Sequence, residues 1–163
     1  MIKRGKQYWL MKSEPSVFSL KDLKDRPRST DHWDGARNYI RAMKKGDLVL
    51  FYHSNCETPG VVGFAEVVRE GYPDHTAFDP LSPYYDPNSL RENPRWFMVD
   101  VQWKEDFRRT VSLCEMRNTP ALKGMQVLKK GQRLSVMPVT REELKKVCVL
   151  GRALEARLKL HAA

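Results

Sequence analysis

Asp47-Leu48-Val49-Leu50-Phe51-Tyr52-His53 leads through Ser54-Asn55-Cys56-Glu57 to the turn Thr58-Pro59-Gly60, and then to Val61-Val62-Gly63-Phe64-Ala65-Glu66-Val67-Val68. Two apolar runs of strand length, rich in β-branched and aromatic residues and parted by a Pro-Gly turn, read as an antiparallel hairpin. Upstream, Gln7–Lys12 reads as an opening strand. Downstream, Arg95–Lys104 alternates Trp96, Met98, Asp100 and Gln102 with Phe97, Val99, Val101 and Trp103, the period of a strand. Gln132–Val139 supplies one more strand.

Short helices fall between these strands. Ser19 is placed as an N-cap with Asp22 at the third helical position. Ala36–Lys45 is expected as a short helix closed by Gly46. Ser112 with Glu115, and Thr140 with Glu143, have the spacing of capping boxes. Thr119-Pro120 has the pattern of an N-cap and first helical residue. Leu144, Val147, Cys148, Leu154 and Leu158 stripe a terminal helix in which Gly151 is the expected break. Five or six strands interleaved with short helices define an α+β chain built on a small curled sheet or barrel. No G-x-G-x-x-G or Walker sequence occurs.

A chain of 163 residues is expected to form one domain over 1–163, with its core over roughly 7–150 and a C-terminal helix or tail at 151–163. Hydrophobic residues at 41% and charged residues at 30% fit a globular protein. No apolar run approaches the roughly 20 residues of a membrane helix, and Tyr8-Trp9-Leu10-Met11 is too short for a secretory core. The expected location is the cytoplasm, nucleoid-associated or not, or the nucleus in a eukaryote.

The three cysteines Cys56, Cys114 and Cys148 are expected to be free thiols, with Cys114 and Cys148 buried. No histidine lies at zinc-ligand spacing from a cysteine pair, so neither metal nor cofactor is expected. The net charge of +9 is unevenly spread. Residues 1–50 carry 12 Lys/Arg against 6 Asp/Glu and residues 101–163 carry 14 against 6, whereas residues 51–100 carry 3 against 8. A cationic face made by the two ends suits a polyanion.

Gly71–Pro94 holds five prolines together with Tyr72, Phe78, Tyr84 and Tyr85, and shows no regular period. Its aromatic content predicts an ordered loop packed over the rest. Trp33 lies in the polar stretch around His32 and Asp34-Gly35, outside any apolar stripe. That position favours a platform for a flat heterocycle, where stacking of a base contributes ~1–3 kcal/mol. Ser13 and Ser54 follow strands at one sheet edge, where neutral hydroxyls read a base edge without burying a charge. Trp96 suits core and pocket wall equally, whereas Tyr52, inside an apolar run, suits the core better, with its hydroxyl reaching inward. Lys12 suits phosphate or base, and Arg37, Arg95 and Arg133 are candidate phosphate contacts on the rim. Tyr84, Tyr85 and His75 could close the pocket from the loop.

The ordered motifs Tyr-Trp-Leu-Met-Lys-Ser-Glu-Pro (8–15), Trp-Asp-Gly (33–35), Phe-Tyr-His-Ser-Asn-Cys (51–56), Pro-Gly-Val-Val-Gly (59–63), Tyr-Pro-Asp-His-Thr (72–76), Tyr-Asp-Pro (85–87), Asn-Pro-Arg-Trp (93–96) and Arg-Leu-Ser-Val-Met-Pro-Val-Thr (133–140) resemble an EVE domain. They are similar to the thymocyte nuclear protein family and its bacterial relatives, over roughly residues 7–150. The resemblance implies a PUA-like fold, a small curved and mostly antiparallel β-barrel decorated by short helices. EVE domains are similar to YTH domains, which hold a modified base in an aromatic-walled pocket. Lys12-Ser13, Trp33 and Ser54-x-Cys56 with the adjacent Asn55 look like the YTH pocket pattern, and Tyr84 and Tyr85 its loop aromatics. The segment Trp33–Met43 is shorter than the family's, so that Arg37-Asn38 matches either of two Arg-Asn pairs there.

Two functions from different classes follow. The first is a non-catalytic module that binds modified DNA or RNA, single-stranded or with a flipped base. Its expected pocket is Lys12, Ser13, Trp33, Asn38, Tyr52, Ser54, Asn55, Tyr85 and Trp96, with Arg37, Arg95 and Arg133 around it. The second is a hydrolase of modified nucleosides or nucleic acids, similar to ASCH domains and using Lys12 and Glu14. Alternation along a strand separates Lys12, Ser13 and Glu14 unless that strand ends at Ser13.

Overall fold

In the computed structural model, residues 5–34 and 39–153 are described. Arg37, Asn38, Leu154 and Leu158 therefore lie outside the described residues. Among the described residues the strands are Tyr8–Ser13 (β1), Thr30–Trp33 (β2), Leu48–His53 (β3), Gly60–Pro73 (β4), Phe97–Ser112 (β5) and Val136–Val139 (β6). These six form one mixed sheet in the order β2-β5-β4-β3-β1-β6. The expected hairpin is β3 with β4, antiparallel, Leu48 facing Glu66 and His53 facing Gly60. Beside it β1 runs parallel to β3, Tyr8 against Leu48 through Ser13 against His53. A parallel neighbour requires a crossover, and here it is the stretch from Glu14 to Asp47.

Alternation of side chains sorts residues between two cores. On β1 and β3, Leu10, Leu50 and Tyr52 enter one cluster, while Trp9, Met11, Val49 and Phe51 enter the other. The first core is covered by a helix at Arg141–Arg152 (α3) and a short one at Leu113–Arg117 (α2), through Val147, Cys148 and Met116. The second lies against a helix at Leu20–Asp25 (α1), through Leu20 and Leu23. Tyr52 is 3% exposed in the first core, where burial pushes its hydroxyl pKa up. That corrects its expected place in the pocket: the pleat turns it away from Phe51 and His53.

The sheet is strongly curled. Trp33 on β2 meets Phe51 on β3 edge to face, with ring centroids 5.5 Å apart. Two strands lie between them, so in a flat sheet their backbones would stand about 14 Å apart at ~4.8 Å per strand. Four register shifts along the long β4–β5 ladder supply the bend.

Local rules gave the helix starts. Ser19 and Thr140 each close a complete capping box, with Asp22 and Glu143. At α2 only half of the box forms. Ser112 Oγ accepts from the Glu115 N–H, but the Glu115 carboxylate is held by Arg109 at 2.6 and 2.7 Å. Instead of a helix across 36–45, the described part shows a 3-10 turn at Ile40–Ala42, with Gly46 at φ 93. The Thr119-Pro120 pair starts only a 3-10 turn, Pro120–Leu122. The strand expected over Gln132–Val139 is confined to β6. Cys114 is exposed, against expectation, while Cys148 is buried. Gly151 lies in the last turn of α3, which ends one residue later at Arg152; a Cβ there would stand 2.2 Å from the Phe107 ring, so its absence also lets helix and β5 touch.

Candidate nucleobase groove

Where β1, β2 and the loops beyond them converge, the second core opens to the surface. The opening is a groove of about 810 Å³ lined among others by Lys12, Ser13, Glu14, Phe18, Trp33 and Tyr84. Because β1 ends at Ser13, the three consecutive residues Lys12, Ser13 and Glu14 all reach this wall. A smaller cavity of about 460 Å³ adjoins it, sharing Asp34 and Tyr84, and is walled by Tyr85 and Trp96.

Four tryptophans are present, and three of them tie the indole N–H to an aspartate. Trp9 donates to Asp47 at 3.0 Å, Trp96 to Asp86 at 2.8 Å and Trp103 to Asp106 at 2.9 Å. Trp33 is half-buried, and its indole N–H has no partner among the described residues. Its ring stands on the edge of Phe51, a T-shaped contact that fixes the plane of the indole.

The polar groups nearby are partly committed. Ser13 Oγ donates to the Phe18 carbonyl at 2.6 Å. With its one proton used, this hydroxyl can only accept from a ligand. Lys12 Nζ donates to the Gln132 carbonyl at 3.4 Å, which leaves two of its three N–H bonds. His53 Nε2 accepts from the Leu20 N–H at 3.1 Å, at the start of α1. Burial lowers the His53 pKa, with the Asp22 charge a smaller opposing influence. An imidazole that accepts there must be neutral at that nitrogen, so His53 fixes α1 against β3 and is no base for Ser13 or Ser54.

The remaining expected residues separate. Ser54 is half-buried and binds the Ser13 carbonyl through its own N–H at 2.9 Å, so the two serines are neighbours. Its side chain is absent from the groove lining. Asn55 is exposed in a left-handed turn, φ 48, a conformation that asparagine tolerates well. It is not part of the groove wall. Arg95 is exposed and lies 3.4 Å from Asp86, and Arg133 is exposed on the loop before β6. The sequence reading missed Phe18, Arg26 and Ser135 as lining residues, while His32 lay in the polar stretch around Trp33 that it had singled out. Of the three, only Ser135 had a signal, its place in the Arg-Leu-Ser-Val motif. Among the described residues no group of acidic, histidine or cysteine side chains could hold a metal, and no helix is long and apolar enough to cross a membrane.

Comparison with known proteins agrees with this architecture. Human thymocyte nuclear protein 1 is 44% identical over 164 residues, covering 87% of this chain and 72% of that protein. The structure of human THYN1 in complex with 5-methylcytosine-containing DNA superposes with a TM-score of 0.82 at 43% identity, covering 91% of this chain and 99% of the other. A Pseudomonas putida protein gives 0.83 at 40% identity, over 90% and 99%. The YTH domain of Zygosaccharomyces rouxii MRB1 protein, 15% identical with a TM-score of 0.51, shares the fold alone. The EVE domain family model matches residues 7–150, and the chain belongs to the EVE domain family.

Proposed function

We propose that this protein is a non-catalytic nucleic-acid-binding module that takes a modified base into the groove beside Trp33. One observation carries the reading: Trp33 alone of the four tryptophans combines a place in this groove with an indole N–H that has no partner among the described residues. The human relative solved with 5-methylcytosine-containing DNA supports this class of ligand. Stacking on the indole supplies affinity whatever the base, and neighbouring polar groups supply choice. Ser13 Oγ can accept from an exocyclic amino group such as that of cytosine, and Lys12 can donate to a ring or carbonyl acceptor. Tyr84, 65% exposed at the junction of the two cavities, would cover the outer face of the ring. Tyr85 and Trp96 would wall the extension beyond it. Such a protein works where nucleic acid is, in the nucleus or the bacterial nucleoid.

The test compares a DNA duplex carrying one 5-methylcytosine with the same duplex unmodified, by fluorescence anisotropy. Trp33→Ala should weaken binding of the modified duplex by about 1–3 kcal/mol, roughly 5- to 150-fold, and the unmodified one much less. Equal losses on both would remove the selective pocket.

A hydrolase is the second reading, favoured by Lys12, Ser13 and Glu14 meeting at one wall. Turnover of acylated or alkylated nucleosides that disappears in Lys12→Ala would establish it. Its weakness is the absence of a base for Ser13, since the hydroxyl proton is given to a backbone carbonyl and His53 is occupied.

A further inference from the structure

The base groove is not the only depression on this face. A second one, of about 780 Å³, continues from it and shares Arg26, Asp31 and His32. The charges of the two differ in kind. In the base groove Lys12 and Arg26 are balanced by Glu14, Asp31 and Asp34. The second groove adds Arg28 and Arg69, with Tyr72 and Asp100 on its far wall. Arg26 is neutralised there, its Nε 2.8 Å from Asp31. Asp100 accepts the Tyr72 hydroxyl proton at 2.5 Å, and burial together with this carboxylate raises the tyrosine pKa. Arg28 and Arg69 are exposed and form no ion pair among the described residues.

Local contacts hold both residues in place. Arg69 lies over the Tyr72 ring, 3.7 Å from its centroid, a contact that steadies the planar group. Arg28 and Ser29 adopt left-handed backbone, φ 55 and φ 50, where non-glycine residues are uncommon. Several contacts hold that turn, among them Ser29 N–H to the Arg26 carbonyl at 2.7 Å, Ser29 Oγ to the Lys24 carbonyl at 2.8 Å, and both Thr30 Oγ1 at 2.9 Å and Gln102 Nε2 at 3.0 Å to the Arg28 carbonyl. Strain of this kind persists only where neighbours over-determine it. Here it presents Arg28 beside Arg26 at the lip of the groove.

Resting on the base-binding reading above, we infer that the Arg28–Arg69 groove is the track for the phosphodiester backbone next to the captured base. Guanidinium groups donate in forks that match phosphate oxygens. The groove begins where the base groove ends, so a nucleotide held at Trp33 would deliver its neighbour's phosphate past the neutralised Arg26 to Arg28. This differs from the rim expected from sequence, in which Arg95 proves to be engaged by Asp86.

The experiment measures binding of a short fluorescein-labelled duplex, with and without one central 5-methylcytosine, at several salt concentrations. In R28Q/R69Q the slope of log K against log salt should fall by about 2, roughly one counterion per lost arginine. The modified-to-unmodified affinity ratio should stay as in the parent. R28K/R69K should restore the slope, because phosphate attraction needs charge. An unchanged slope in R28Q/R69Q overturns the inference. Trp33→Ala should show the reverse pattern, a changed ratio with the parental slope. A parent protein with no preference for the modified duplex would sink the base reading while leaving the slope as a separate result. Both arginines are exposed, and a thermal melt of each variant confirms that the fold is kept.

Discussion

Trp9 and Trp33 stand at opposite ends of the same core and have opposite fates. Trp9, 3% exposed, packs against Tyr39 with ring centroids 5.7 Å apart and gives its N–H to Asp47. Asp47 is itself 3% exposed and also accepts from the Gln7 and Lys44 backbone N–H groups, each at 3.0 Å. At the other end, Trp33 rests its indole on Phe51 and opens into a groove. One aromatic is sealed by a buried carboxylate, and the other lines an open groove. The same sheet therefore has a closed end that stabilises and an open end where the proposed base would bind.

The largest effect should come from the closed end. Asp47→Ala would strand the Trp9 indole N–H and two backbone N–H groups, at a cost of about 3–5 kcal/mol measured by urea unfolding. Asp47→Asn should be nearly as damaging. One carboxylate oxygen serves Gln7 and the other serves Trp9 and Lys44, so either amide orientation points an NH2 at a donor. Trp33→Ala, by contrast, should lower stability by no more than about 2 kcal/mol, with its main effect on binding. If the two variants lost equal stability, Trp33 would belong to the core and the distinction between the ends would fail.

A middle-sized effect tests the other core. Gly151→Ala would place a methyl group 2.2 to 2.7 Å from three atoms of the Phe107 ring. Since the whole ring face is blocked, α3 or Phe107 must shift, at about 1–3 kcal/mol. Base binding should be unaffected, because Phe107 and α3 lie in the cluster away from the groove. Loss of binding in a folded Gly151→Ala protein would show that the two cores are coupled.

What the sequence reveals of this contrast follows the range of each interaction. Ser19 with Asp22 and Thr140 with Glu143 are legible because three residues suffice to define a cap. The β3–β4 hairpin is legible because its turn lies between its strands. The β1–β3 pairing is not, since residues 14–47 intervene and nothing local encodes the neighbour. Which of Phe51, Tyr52 and His53 faces the groove is a question of pleat phase, and an unbroken apolar run carries no phase. That is why Tyr52 was expected in the pocket and lies in the core. The end of α3 beside Gly151 is legible from residue type, but the close approach of Phe107, 44 residues away in sequence, is not. The half-buried place of Trp33 was legible from its polar neighbours. The place of Arg28 was not, because its left-handed backbone is held by Gln102 from β5.

The smallest effect is one of pH, and it separates His53 from the carboxylates. Burial lowers the folded-state pKa of His53 below its ordinary 6.5, and protonation would break its bond from the Leu20 N–H. The unfolded chain then binds more protons than the folded one as pH falls below 6.5, so stability declines with acidification and is flat above. Asp22, Glu105 and Asp106 also have lowered pKa values, through Ser19, Arg152 and Lys24 respectively. Their contributions, however, are lost only at more acid pH, below the ordinary carboxylate range. Between pH 6.5 and about 5 the slope therefore reports histidine, at less than the ~1.4 kcal/mol per pH unit of one full proton. His53→Gln should flatten it, since a glutamine carbonyl accepts from Leu20 at every pH. His32, 47% exposed and already 3.0 Å from Asp31, faces the groove rather than the core. If His32→Gln instead removed the slope, the pH sensitivity would belong to the open end of the sheet and the assignment to His53 would be wrong.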